Sequence, residues 1–182
     1  MAAYTEIETK LSVPSHEPVR MALKRLAAES VSVQFQQDIY FDTAQRSFIE
    51  TDRCLRLRRQ KTGPTEQIYL TYKGPRQVAD IKKRQEIELE VGDANQAEHF
   101  LSALGYRRIL IVEKERDLWR YGNCHVALDR LAGLGTFVEI EGPDDHTIRA
   151  VQESIGLKDS PHVQESYAAL LARQRQTSDG NR

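Results

Sequence analysis

Charge recurs at every second position in segments that otherwise read as β-strands, and few folds accommodate that pattern. In YTEIETKLSV, residues 4 to 13, Glu6, Glu8 and Lys10 fall on one face of a strand, because successive strand side chains point to opposite sides. The period returns along the chain. Arg56 and Arg58 alternate with Leu55 and Leu57, and Lys73 follows in YLTYKG. Lys82, Arg84, Glu86, Glu88 and Glu90 share one face, with Ile87, Leu89 and Val91 on the other. Lys114 with Arg116, His125 with Asp129, and Glu139 with Glu141 opposite Val138 and Ile140 complete the series.

Alternation and β-branched or aromatic content predict strands over 4–13, 33–42, 53–60, 66–74, 82–91, 108–118, 122–130 and 135–142. Helical patterns occupy 17–29 after Ser15 as an N-cap, and 94–104 after Asp93, with Gln96 completing a capping box and Gly105 as the stop. Two more cover 145–155, ending at Gly156, and 163–173. Tyr121-Gly122-Asn123 and Leu131 to Gly135 suit hairpins. Residues 1–173 read as one domain and 174–182 as a disordered tail. Strands outnumber helices and do not alternate with them, so the expected class is α+β with a mainly antiparallel sheet.

An open sheet with one solvated face accounts for charge on any single strand. Cross-strand Glu–Lys pairs contribute only about 0.2–1 kcal/mol each, a sufficient reason for a few of them. Here the charged faces recur on most of the strands and carry both signs. A sheet curled into a barrel would line a cavity with them and turn its apolar face outward, under the amphipathic helices. The 26 Lys+Arg nearly cancel the 27 Asp+Glu, so no global field steers the chain to nucleic acid or anionic membrane. Any electrostatic function is therefore local. Lys10, Arg56, Arg58, Lys73, Lys114 and Arg116 suit a polyanion such as a phosphate chain, with Arg forking onto phosphate oxygens and Lys supplying point charge. Glu6, Glu8, Glu139 and Glu141 would repel that chain unless divalent cations lie between, and such oxygen ligands suit Mg²⁺ or Mn²⁺. The residues alone point to a metal–triphosphate or metal–polyphosphate site inside a β-barrel.

Cys54 and Cys124 form no CxxC pair and read as reduced core thiols. No secretory signal and no apolar run of the roughly 18 residues needed to span a bilayer is present, so the expected location is cytoplasmic, with no membrane partner. His125 reads as a structural histidine and Trp119 as outer packing. A Walker GxxxxGK[ST] loop and HExxH are both absent.

The order of these residues resembles the CYTH superfamily, the triphosphate tunnel metalloenzymes. Its hallmark N-terminal ExExK stands here as Glu6-Ile7-Glu8-Thr9-Lys10. Arg56 and Arg58, Lys73 in YKGP, Lys114 and Arg116, Asp129, and Glu139 with Glu141 follow in the family's order, over residues 4 to 170. Within it, DIYFDT, YKGP, VEKERDLW, LDRLAGLGTFVEIE and SYAALL look most like class IV adenylyl cyclases, with thiamine triphosphatase a close relative. The resemblance implies an eight-stranded antiparallel barrel with helices packed outside, often as a homodimer, acting on a small-molecule triphosphate. It implies metal binding by Glu6, Glu8, Glu139 and Glu141, with Asp129 nearby, and triphosphate binding by Lys10, Arg56, Arg58, Lys73, Lys114 and Arg116. Arg84 and Glu88, on a strand less strictly assigned, are expected at the substrate, and Lys10 and Asp129 are the candidate catalytic groups. The expected activity is adenylyl cyclase. A triphosphatase for thiamine triphosphate or tripolyphosphate and a non-catalytic polyphosphate- or nucleotide-binding module are the alternatives.

Overall fold

The strands are β1 (Tyr4–Val13), β2 (Glu29–Asp42), β3 (Cys54–Thr62), β4 (Thr65–Lys73), β5 (Lys82–Glu90), β6 (Arg107–Tyr121), β7 (Cys124–Leu131) and β8 (Gly135–Glu141). They pair antiparallel in the order β1-β5-β4-β3-β2-β6-β7-β8, and the last strand returns to the first, closing the barrel. Five helices lie outside it among the described residues: α1 (Glu17–Arg25), α2 (Ser47–Glu50), α3 (Ala94–Ala103), α4 (Asp145–Ser154) and α5 (Tyr167–Asp179). This computed structural model describes residues 4–77 and 81–179. The expected eight-stranded antiparallel barrel is the fold the chain adopts, with the charged faces inward.

Several boundaries differ from the sequence reading, each for a local reason. α1 stops at Arg25, short of 29, because Ala27 turns into the left-handed region at φ 53°. Its N-cap is His16, not Ser15, whose hydroxyl instead accepts from the Glu17 N–H at 3.2 Å. β2 begins at Glu29 and β6 reaches Tyr121 because the two strands pair over nearly their full lengths, from Glu29 opposite Arg120 to Asp42 opposite Arg107. α2 carries too little period to read from sequence. The Asp42 carboxylate anchors it by accepting the N–H groups of Phe48 at 3.0 Å and Ile49 at 3.1 Å. α3 follows its expected cap, with Asp93 accepting from Asn95 and Gln96. α5 starts at Tyr167 instead of 163 and continues to Asp179, through most of the stretch expected to be a disordered tail; residues 180–182 lie outside the described residues.

The core lies between barrel wall and helices. Val19 and Leu23 of α1 and Ile148 and Val151 of α4 cover the outward faces of Leu11, Val126, Val138 and Ile140. Phe48 and Leu101 cover Ile39, Phe41, Leu55 and Leu57. Tyr167 and Leu170 of α5 pack with Val112, Leu131 and Phe137 at the barrel end that carries the β7–β8 turn. Trp119 is buried in the outer core, as expected. No helix among the described residues is long and apolar enough to cross a membrane.

Candidate active site

Closing the sheet gathers the charged residues of distant strands around one cavity of about 870 Å³. Lys10, Arg56, Arg58, Lys73, Arg84, Lys114 and Arg116 all line it, as do Glu6, Glu8, Glu88, Glu139 and Glu141. Asp129 stands behind this lining, fully buried.

The cations form two clamped groups. On the β2–β3 wall, Arg58 forks onto Asp38 through Nε and Nη2, both at 2.7 Å, and Arg56 Nη1 stands 3.6 Å from the same carboxylate. Burial opposes ionisation of Asp38, but the two guanidiniums overcome it and hold the carboxyl well below its usual range. On the β6–β7 wall, Asp129 accepts from Arg116 at 2.7 and 2.6 Å, from Lys114 at 2.9 Å and from the Tyr167 hydroxyl at 3.0 Å. Lys114 is pushed down to about 8, first by burial and then by the adjoining Arg116 charge. Lys10 faces Glu139 at 3.3 Å, donates to the Glu165 carbonyl at 3.1 Å, and lies 3.7 Å from the centre of the Tyr167 ring. Arg116 also pairs with Glu139.

The carboxylates gather across the lumen on β1, β5 and β8. Lys73 bridges Glu6, at 2.6 and 2.7 Å, and Glu86, at 2.8 Å. Glu8 and Glu141 are directly opposite each other in the β1–β8 ladder, an arrangement that costs stability when both are charged. Burial, followed by the fields of Glu6 and Glu8, pushes Glu141 up to about 7. Lys82 stands 3.5 Å from Glu8, so Lys73 and Lys82 serve Glu6, Glu8 and Glu86, while Glu141 is in no ion pair among the described residues.

Some expected residues also hold their neighbours in place. Each oxygen of Asp129 is engaged by a cation, so the carboxylate fixes Lys114 and Arg116 from behind the lining. Arg84 spends its guanidinium on the carbonyls of Gly74, at 2.9 Å from Nε, and Asp52, at 2.9 Å from Nη2, pinning the ends of β4 and α2. Glu88 accepts from Thr71 at 3.0 Å, next to Arg56. Cys124 is a core thiol, but Cys54 lines the cavity with Arg56 and Arg58, which its even-numbered position on the strand already signalled. His125 is exposed on the cavity lining opposite Glu141, not a buried structural group. Asp38, Tyr167, Lys82 and Glu86 were not assigned a site role from sequence. Asp38 shares the alternation of Gln34 and Gln36, whereas nothing in the last helix marks Tyr167 as a lumen residue.

The CYTH domain profile matches residues 4–167. The chain belongs to the CYTH family. Within that family it is 33% identical over 136 residues to adenylate cyclase CyaB of Aeromonas hydrophila, covering 74% of this chain and 67% of that protein. A solved protein of Pyrococcus horikoshii superposes with a TM-score of 0.82 at 26% identity, covering 93% of this chain and 99% of that one. A Hippeastrum protein classed with the adenylyl cyclases and described as having a dominant triphosphatase activity shares the fold at a TM-score of 0.73 and 18% identity, over 93% of this chain and 96% of that one.

Membership of this metalloenzyme family implies a divalent cation. The described side chains offer no ready-made cage of three or more carboxylate, imidazole or thiolate ligands. The donor set fits the ion differently. Glu6, Glu8 and Glu141 line the cavity beside the cationic cradle, with Glu8 and Glu141 directly opposite each other, and Mg²⁺-type ions are commonly held by one or two carboxylates plus substrate phosphate oxygens.

Proposed function

We propose that this CYTH protein is a divalent-metal-dependent adenylyl cyclase that converts ATP to cyclic AMP and pyrophosphate inside the barrel. The division of the lumen carries the reading: two clamped cationic groups face a corner where the four carboxylates Glu6, Glu8, Glu86 and Glu141 meet two lysines, Lys73 and Lys82, across one cavity. Arg56 and Arg58, held by Asp38, and Lys114 and Arg116, held by Asp129, bind the triphosphate in a fixed line and spare the substrate the cost of ordering those side chains. Glu6, Glu8 and Glu141, with Glu139 beside them, would hold Mg²⁺ or Mn²⁺, which when bound polarises the α-phosphate and lowers the pKa of the 3′-hydroxyl. The 3′-hydroxyl gives up its proton to water, its oxygen forms the bond to the α-phosphorus as the bridge to the β-phosphate breaks, and Lys73, Lys114 and Arg116 neutralise the departing pyrophosphate. Asp129 acts through the cations it positions.

Hydrolysis of a triphosphate by the same cradle is the second reading. Its support is the Hippeastrum protein, whose shared fold accompanies a described triphosphatase activity. The two readings differ in which phosphorus meets the nucleophile. A binding module alone would need the cationic rows but not the carboxylate corner. Incubation with Mg²⁺ or Mn²⁺ and, separately, ATP, thiamine triphosphate and tripolyphosphate, with chromatography of the products, separates them. Cyclic AMP with pyrophosphate is the expected result; orthophosphate with a diphosphate and no cyclic product would overturn it.

A further inference from the structure

Along β2 and β3 the cavity lining changes from charged to amide side chains. α5 covers the end with the β7–β8 turn, where Gln174 donates to the Gly133 carbonyl at 2.8 Å. Lys10 and Lys114 lie under the Tyr167 ring at that end. Moving away from α5, toward the β3–β4 turn at Thr62 and Thr65, Asp38 and Arg58 give way to Gln36 and Gln60, themselves opposite each other in the ladder. Gln34 follows on β2; all three amides line the cavity, and Gln36 and Gln34 stand opposite Lys114 and Arg116 of β6.

These amides form one linked group. Gln36 Nε2 donates to Gln34 Oε1 at 2.7 Å and to Gln60 Oε1 at 2.9 Å, and Gln34 Nε2 donates to Ser32 Oγ at 2.8 Å. Gln36 is 1% exposed, and its Oε1 is buried without a donor among the described residues. A buried amide oxygen in that state calls for an explanation. Uncharged amides add little to the binding of a polyanion, yet they present donors and acceptors side by side, as the edge of a heterocycle does. Leu118 and Ala127, opposite each other in the β6–β7 ladder and also on the lining, provide apolar surface next to Gln34 and Arg116. The amides adjoin the cationic row of β6, so a substrate with an anionic tail and a neutral head can meet both at once.

We infer that Gln34, Gln36 and Gln60 form the subsite for the uncharged, hydrogen-bonding organic group carried by the triphosphate, and so select organic triphosphates over inorganic tripolyphosphate. This rests on the triphosphate reading of the cavity. The organic group lies beside the linked amides, toward the β3–β4 turn, and its phosphates run along the cations toward α5.

The test compares ATP with tripolyphosphate on the full chain in Mg²⁺, by calorimetry, or by kcat/KM where the ligand is turned over. The variants are Gln36→Met, which keeps the volume, and Gln60→Leu, at a partly exposed position that tolerates change if the first does not fold. Each is expected to lose roughly tenfold for ATP, as for a lost hydrogen bond, and less than about twofold for tripolyphosphate. Equal losses for both ligands, or no loss for ATP, would overturn the assignment and leave the triphosphate reading standing. Wild-type protein that bound neither ligand would sink the triphosphate reading itself.

Discussion

Asp129→Asn tests the clamp most directly. Asp129 is fully buried and neutralises Lys114 and Arg116 through three contacts of 2.6–2.9 Å. The amide keeps the shape and one acceptor but removes the charge, leaving two buried cations to share Glu139 with Lys10. Breaking a buried pair from one side costs about 3–5 kcal/mol. At about 2–4 °C per kcal/mol for a chain of this size, melting should fall by about 6–20 °C. The pH dependence has a definite sign. Burial raises the Asp129 pKa, but Arg116 and Lys114 outweigh it, and the net shift is downward. Its contribution is therefore complete above the unfolded value of about 3.9 and disappears as pH falls through the depressed folded value. Thermal denaturation followed by circular dichroism should show a gap between wild type and variant that is constant from neutral pH down to about pH 5 and narrows below about 4. Tripolyphosphate should raise the melting point of the variant more than that of wild type, because the anion replaces the missing charge. A variant within about 1 °C of wild type across this range, given the shift per kcal/mol above, would refute the clamp.

Glu6→Gln should reduce Mg²⁺-dependent turnover by about a hundredfold or more while retaining the fold, since Lys73 keeps Glu86 as a partner; steady-state kinetics and a melting curve together check both halves. Lys114, pushed down to about 8, is charged below that pH and neutral above it, so triphosphate affinity should fall by about tenfold between pH 7 and 9.5, and Lys114→Arg should flatten the profile. Gly142→Ala would place a methyl 2.6 Å from Cys124 Sγ and 3.0 Å from Ile148 Cγ1, and should cost about 1–3 kcal/mol by denaturant titration, partly recovered in combination with Cys124→Ala.

Much of the site was legible because strand alternation is local. Whether Glu6 or Ile7 faces inward follows from parity alone once the sheet curls, and the charged parity places Arg56, Arg58, Lys114 and Glu139 in the lumen without further information. The same parity covers Asp38, Gln36 and Cys54, whose sequence signal was present but quieter than a row of charges. α2 and the length of α5 were not legible. One depends on a remote aspartate as its anchor, and the other gains its order by packing Tyr167 and Leu170 into the barrel end.

What the chain alone determined is which residues share a face and which signs of charge must meet in the lumen, since that depends only on the two-residue period of a strand. Which carboxylate meets which cation belongs to the tertiary structure. Asp38 and Arg58, Lys73 and Glu6, and Asp129 and Tyr167 are distant in sequence, and only strand register, barrel closure and the docking of the last helix bring them within hydrogen-bonding distance. Those pairings leave Glu141 outside any ion pair among the described residues and set Asp129 to hold Lys114 and Arg116, because a buried charge takes its role from the partners that neutralise it.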